Sequence, residues 1–262
     1  MTLISDEDWA SYERTGYLKL GKILDEHNLK GLQDRIDEIM LGKAALNYNK
    51  MLMQLDSTSG EYGDLDDQTK GHKGSSLNYR KIQDLELDDK FLEFMSYPIF
   101  EEICTHVYGE GINIACFRAM FFNKPSMKGT KLPWHQDRWN NLDKDPLVTI
   151  WAALDPATIE NGCVEIIPGS HKRLINPEHP SGFLTDEQAA ELCTDEDRVY
   201  LELEAGEVML LHNWLLHSSD TNKSADSRRA FSVCYMDHDT MEKGEAISYP
   251  VIFGENAISL QS

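Results

Sequence analysis

Two hydrophobic periods divide the chain. Over the first forty residues the apolar positions recur with helical spacing. Leu29, Leu32, Ile36, Ile39 and Met40 share one face of a helix that Asp25 caps and Gly42 ends. Ser5 with Asp8 forms a capping pair for an earlier helix over about 6–14, and GYLKLGKIL between the two helices reads as a short strand. Downstream the period shortens to brief β-type runs: IACFRAMFF (114–122), LVTIWAAL (147–154), CVEII (163–167), VYLEL (199–203), EVMLLHNWLLH (207–217) and RAFSVCYM (229–236). Turn signals such as NKP, DPAT, ENG and PGSH separate them. Short strands at this regularity predict a mainly β fold, a sandwich or barrel with flanking α-helices. The stretch 185–198 reads as a helix and loop inserted between strands. Residues 56–78 are polar and Gly-rich, a loop long enough to serve as a lid.

Composition narrows the function classes. The 262 residues suit one domain, 1–262, with the helical elements of 1–45 packed on the β core. Lys and Arg total 25 against 45 Asp and Glu, a net charge of −20. Such a field opposes nucleic acid and anionic membrane surfaces, and it does nothing to attract a CoA thioester. No apolar run approaches a membrane span, and the first residues have neither a basic nor an apolar leader region. Five scattered cysteines with no Cys-x-x-Cys pair suit reduced thiols. The expectation is a cytoplasmic protein with a small-molecule partner, and no nucleic-acid or membrane partner.

The candidate chemistry begins at KLPWHQDRWNNL (131–142), which contains the triplet His135, Gln136, Asp137. On a strand end, residues two apart point to the same side, so this histidine and this carboxylate can share a metal ion. A third ligand must come from another strand, and EVMLLHNWLLHSSD offers His212 and His217. Strand alternation puts these two on opposite faces, which favours one of them. Arg228 stands eleven residues beyond His217. A guanidinium there has a purpose if the metal carries a dicarboxylate, whose far end needs a planar, permanently charged, two-pronged donor. Arg229 is its rival, and Ser219 can add a hydroxyl.

With those residues in view, the chain resembles the phytanoyl-CoA dioxygenase-like branch of the Fe(II)/2-oxoglutarate-dependent oxygenases. The resemblance runs from KIQDL (81–85) to CYMD (234–237). It rests on NKP (123–125), WHQD (134–137), WAALDPATIENGCVEIIPGSHK (151–172) and HSSDTNK with RRAF (217–231). It implies a double-stranded β-helix (jelly-roll, cupin-like) core, with 56–78 and 172–198 as lid loops. It also implies His135, Asp137 and His217 as ligands of Fe(II), with 2-oxoglutarate as co-substrate and O2 as oxidant. Arg228 would grip the far carboxylate of 2-oxoglutarate, with Ser219 beside it. Lys81 would approach the other end of the co-substrate, and Trp151 would line the pocket, although these two also read as a strand-edge lysine and a core tryptophan. Asn161, Gly162, Pro168, Gly169, Ser170 and His171 read as architecture. Halogenating relatives carry a small residue where Asp137 stands, so the resemblance implies an oxygenase that releases succinate and CO2.

The substrate is open at this point. If the family register holds, Glu165 faces the pocket and favours a cationic group. Arg118, Arg138 and Trp139, with Lys128 and Arg173, instead suit an acidic one. The expected substrate is a small polar metabolite, amino-acid-derived or specialised, rather than phytanoyl-CoA. A zinc hydrolase using the same triad and a non-catalytic β-barrel binding protein are the alternatives, and neither accounts for Arg228.

Overall fold

Period-two alternation decides which side of each strand is buried against what. The computed structural model describes residues 3–246 and 248–260; positions 1, 2, 247, 261 and 262 of the expected 1–262 span lie outside the described residues. Its N-terminal part runs α1 (Asp6–Thr15), β1 (Tyr17–Lys22), α2 (Glu26–Met40), β2 (Leu52–Leu55), β3 (Thr69–Lys70) and β4 (Tyr79–Gln83). Then come α3 (Asp89–Met95), α4 (Pro98–Tyr108), β5 (Ile114–Lys124), β6 (Leu132–His135), β7 (Val148–Ala153) and β8 (Val164–Ile166). The C-terminal part holds α5 (Asp186–Leu192), β9 (Val199–Leu201), β10 (Glu207–His212), β11 (His217–Ser219) and β12 (Arg228–Asp237). Three short strands follow: β13 (Met241–Glu242), β14 (Glu245–Ala246) and β15 (Val251–Phe253).

The strands form a nine-stranded sheet in the order β1-β10-β7-β12-β5-β4-β2-β3, with β15 also on β5, and a four-stranded sheet β6-β11-β8-β9. The fold is thus mainly β with flanking helices, as the periodicity predicts. On β7, Val148, Ile150 and Ala152 join the core that Leu32, Ile36 and Ile39 of α2 and Phe91 and Phe94 of α3 also build. Trp151 and Ala153 turn the other way and pack with Val164, Ile166 and Leu201 of the small sheet. β10 divides alike, with Val208 and Leu210 to the helices and Met209 and Leu211 toward the small sheet. Strands covered on both faces have no polar side, and so they read in sequence as continuous apolar runs.

One expectation is corrected. The run 207–217 is two strands: β10 ends at His212, a turn follows, and β11 begins at His217 in the other sheet. His212 and His217 are therefore separated by a sheet crossing rather than by alternation along one strand. The short strand expected within GYLKLGKIL is β1, which pairs with β10 and edges the large sheet. Segment 79–108, to which the sequence analysis assigns no element, forms β4, α3 and α4. Both early helices are capped as expected, by Ser5 on Asp8 and by Asp25 on Asn28. All five cysteines are free and buried. Among the described residues, no helix is long and apolar enough to cross a membrane.

Candidate active site

The site begins with one strand pairing. In the antiparallel pair β11–β6, His217 stands opposite His135, and their rings lie 4.0 Å apart between centroids. The chain leaves β6 after His135, and the Asp137 carboxylate reaches back to both rings: Oδ1 is 3.8 Å from His135 Nε2 and Oδ2 is 3.9 Å from His217 Nε2. One donor atom from each of the three residues lies within 4.8 Å of the others. Ligands that share one ion at bond lengths of about 2.1 Å sit ~3–4 Å apart, so a small contraction suffices for a metal. The tautomers suit it too. Nδ1 of His135 bonds the Pro133 carbonyl and Nδ1 of His217 the Leu215 carbonyl, each at 2.9 Å. A proton held at Nδ1 leaves the Nε2 lone pair for a metal. Burial, with His217 alongside, pushes His135 down to about 3, so it is neutral and ready to ligate over the physiological range.

The residue between the two ligands orients them. Gln136 is buried and points away from the cavity. Its Nε2 donates to the carbonyls of Arg173 (2.9 Å) and Trp214 (2.6 Å), and its Oε1 accepts from the Ile175 amide (2.8 Å). The Asp137 amide donates to the Asn213 carbonyl at 2.8 Å. Gly182 presses against the same segment: at φ +66° it leaves no room for a Cβ, which would fall 2.0 Å from the Gln136 carbonyl oxygen. The triplet is thereby tied to the 213–216 turn that delivers His217.

These groups face a cavity of about 290 Å3, at the low end of the ~300–1,000 Å3 usual for ligand pockets. Arg228, Ser219, Lys81 and Trp151 all line it. Arg228 is 4% exposed, and its Nε has no hydrogen-bond partner. Its guanidinium lies 5.6 Å from the centre of the Trp151 ring, and burial pushes its pKa down to about 10. Arg229, one residue on, points out of the cavity and is bound by Asp155 (2.8 Å) and Asp37 (2.7 Å). Strand alternation has separated the rivals. Burial beside Arg118 and Arg80 pushes Lys81 down to about 7. His212 also lines the cavity, but its ring packs against His171 at 5.0 Å and its Nδ1 accepts from the Trp214 amide, outside the three-residue cluster.

Glu165 is a correction. Its neighbours Val164 and Ile166 line the cavity, so Glu165 projects from the opposite face of β8. There it accepts from the Ser218 hydroxyl and pairs with Arg198 at 3.0 Å. Arg118, Arg138 and Trp139 do line the cavity, whereas Lys128 and Arg173 do not. Sequence reasoning missed Lys124 and Arg80, both cavity-lining. Lys124 was within reach, because period two along β5 from Arg118 through Met120 and Phe122 arrives at it. Arg80 gives no such signal. The two expected lid segments meet over the site: Tyr62 and Phe183 line the cavity with ring centroids 5.4 Å apart, and Phe183 stacks on His135 at 4.9 Å.

Two imidazoles and one carboxylate on a walled cavity make up the donor set of the non-haem iron oxygenases, which keeps metal positions open for reactants. The phytanoyl-CoA dioxygenase (PhyH) family model matches residues 12–230. The chain belongs to the phytanoyl-CoA dioxygenase family and is, by that membership, a 2-oxoglutarate-dependent dioxygenase. It is 27% identical over 250 residues to a probable phytanoyl-CoA dioxygenase of Caenorhabditis elegans, covering 91% of this chain and 77% of that protein. Against the peroxisomal phytanoyl-CoA dioxygenase of Bos taurus it is 25% identical over 249 residues, covering 90% and 69%. Its fold matches the crystal structure of EctD from S. alaskensis with 2-oxoglutarate and 5-hydroxyectoine. The TM-score is 0.70 at 20% identity, over 90% of this chain and 77% of that one.

Two outcomes are expected. Gln136→Leu keeps the side-chain bulk but strips three backbone partners, and should weaken metal binding by about 10–100-fold, read by competition with a chelating dye. Unchanged affinity would detach Gln136 from the site. Burial, with His171 alongside, lowers His212 from 6.5 to about 4. The unfolded chain therefore binds the extra proton first, and stability present above pH 6.5 is lost as pH falls toward 4. In metal-free protein, His212→Gln should flatten that part of the denaturation-midpoint curve; an identical slope would contradict the assignment.

Proposed function

We propose that this chain is one catalytic domain, on a double-stranded β-helix, that hydroxylates an unactivated C–H bond of a small polar metabolite with release of succinate and CO2. A cytoplasmic setting accords with five unpaired, buried cysteines, although the Bos taurus relative is named peroxisomal. Bound Fe(II) with 2-oxoglutarate supplies the oxidising chemistry toward O2. His135 and His217 hold the metal through Nε2, and Asp137 through its carboxylate. Arg228 takes the far carboxylate of 2-oxoglutarate, with the Ser219 hydroxyl beside it and Trp151 backing the guanidinium. Lys81 approaches the co-substrate from the metal side. Residues 56–78 and 172–198 serve as lids, with Tyr62 and Phe183 keeping water from the metal.

The observation that carries this reading is Arg228: a buried guanidinium with an unpartnered Nε, in the same cavity as the triad. A buried cation without a counter-ion is costly, and a dicarboxylate supplies one. A zinc hydrolase or a non-catalytic binding protein on this scaffold leaves that arginine without a purpose. Anaerobic addition of Fe(II) and 2-oxoglutarate should produce a weak visible charge-transfer band. Arg228→Gln should weaken 2-oxoglutarate binding roughly 10–100-fold, the worth of about 1.5–3 kcal/mol in charge-assisted hydrogen bonds. Asp137→Ala should abolish succinate formation. Absence of the band in the wild type, or full succinate release by the Asp137 variant, refutes the reading.

A further inference from the structure

The lining of the cavity inverts the charge of the molecule. Arg80, Lys81, Arg118, Lys124, Arg138 and Arg228 face it against a single carboxylate, Asp137, in a chain of net charge −20. Three of the six have protein acceptors. Lys124 Nζ donates to the Thr130 carbonyl (2.6 Å), Arg80 to Gln54 (3.0 Å) and Arg138 to the Pro177 carbonyl (2.7 Å). Arg228 and Lys81 are the two that the proposed function assigns to the co-substrate. Among the described residues, Arg118 has neither a hydrogen bond nor a carboxylate in ion-pair range.

Its plane is nevertheless held. The Arg118 guanidinium lies 4.9 Å from the Phe117 ring centre and 4.7 Å from that of Trp139, and the two rings meet edge-on at 4.6 Å. Aromatic packing fixes the orientation of an arginine without consuming its N–H groups, which leaves a preformed fork for an anion. The strand position that carries this fork is distinct from that of the proposed co-substrate clamp. Arg228 pairs with Lys124 across β12–β5, and Arg118 lies six residues back along β5. At about 3.3 Å per residue the two backbones are ~20 Å apart along the strands, so the two arginines enter the cavity from different positions along its wall. Asp137 lines the same cavity and is the carboxylate whose charge acts most strongly on Arg118, which relates the fork to the candidate metal triad.

The geometry points to an organic anion as the substrate, its carboxylate or phosphate gripped by Arg118 and its carbon skeleton laid toward His135, Asp137 and His217. This rests on the oxygenase reading above and names its substrate class. The cationic wall, together with the outward Glu165, favours the acidic over the cationic alternative that the sequence leaves open.

The test is calorimetric titration of the anaerobic Fe(II)/2-oxoglutarate complex. The probes are a series of straight-chain and phenyl-substituted carboxylates, each with its phosphonate isostere, neutral primary amide and primary amine. One of the two anion classes should bind at least about tenfold more tightly than its amides, and the difference between carboxylate and phosphonate identifies which anion the fork takes. Arg118→Gln should bring that ratio near one while the 2-oxoglutarate affinity stays within about twofold, and Arg228→Gln should do the reverse. Amides or amines that bind as well as the anions, no measurable binding of either anion class, or an anion preference that survives Arg118→Gln would overturn the proposal. Failure of wild-type protein to bind 2-oxoglutarate overturns the oxygenase reading instead. The same titration of metal-free protein then decides the Arg118 site by itself.

Discussion

A single cross-strand register, His217 opposite His135 in β11–β6, is what the site depends on. In an antiparallel pair, directly opposed residues bring their side chains to the same face, so one pairing delivers two imidazoles to one point. The chain reaches β11 only because β10 stops at His212 and turns over into the small sheet. Gln136 bonds the carbonyl of Trp214 in that turn, so the two ligand-bearing segments hold each other. The two histidines are oriented by the same local device, a carbonyl two residues earlier accepting from Nδ1. The geometry of the candidate metal triad thus follows from backbone pairing and a few buried amides, with little left to side-chain freedom.

The second governing constraint is electrostatic. The acidic residues are spent on the exterior and on structural pairs, such as Asp155 and Asp37 around Arg229 and Glu165 around Arg198. Among the described residues, the cavity's cations other than Arg138, which lies 3.9 Å from Asp145, have no carboxylate in ion-pair range. Buried guanidinium and ammonium groups lose hydration, which is why Lys81 and Arg228 both sit below their ordinary pKa. An anionic ligand offsets that loss, which is the physical basis of the two anion sites proposed above. A net charge read from composition averages over the surface and hides this interior of opposite sign.

Much of the site was legible because local chemistry and spacing carried it. His135 and Asp137 are two apart at a strand end, and the distal histidine and arginine are read from residue type and order. The β-rich architecture followed from short apolar runs between turn residues. Other features were illegible for a common reason: they depend on which face of a strand meets which neighbour. Glu165 differs from Val164 and Ile166 by one position, and a one-residue difference reverses the side of the sheet. The eleven apolar residues 207–217 hide a sheet crossing because both halves are buried. Lys124 and Arg80 look like any surface cations until β5 and β4 are seen to line the cavity.

The sequence by itself determined the element types, the ligand-capable residues and an arginine suited to a dicarboxylate, because these depend on period, residue chemistry and order along the chain. The family resemblance already named His217 over His212 and Arg228 over Arg229, whereas tertiary structure alone decided that Glu165 turns away from the cavity, that Lys124 and Arg80 join its wall, and that the wall is cationic. Each of those outcomes is set by strand register and by the packing of one sheet against another. Such contacts join residues far apart in the chain, and no local pattern encodes them.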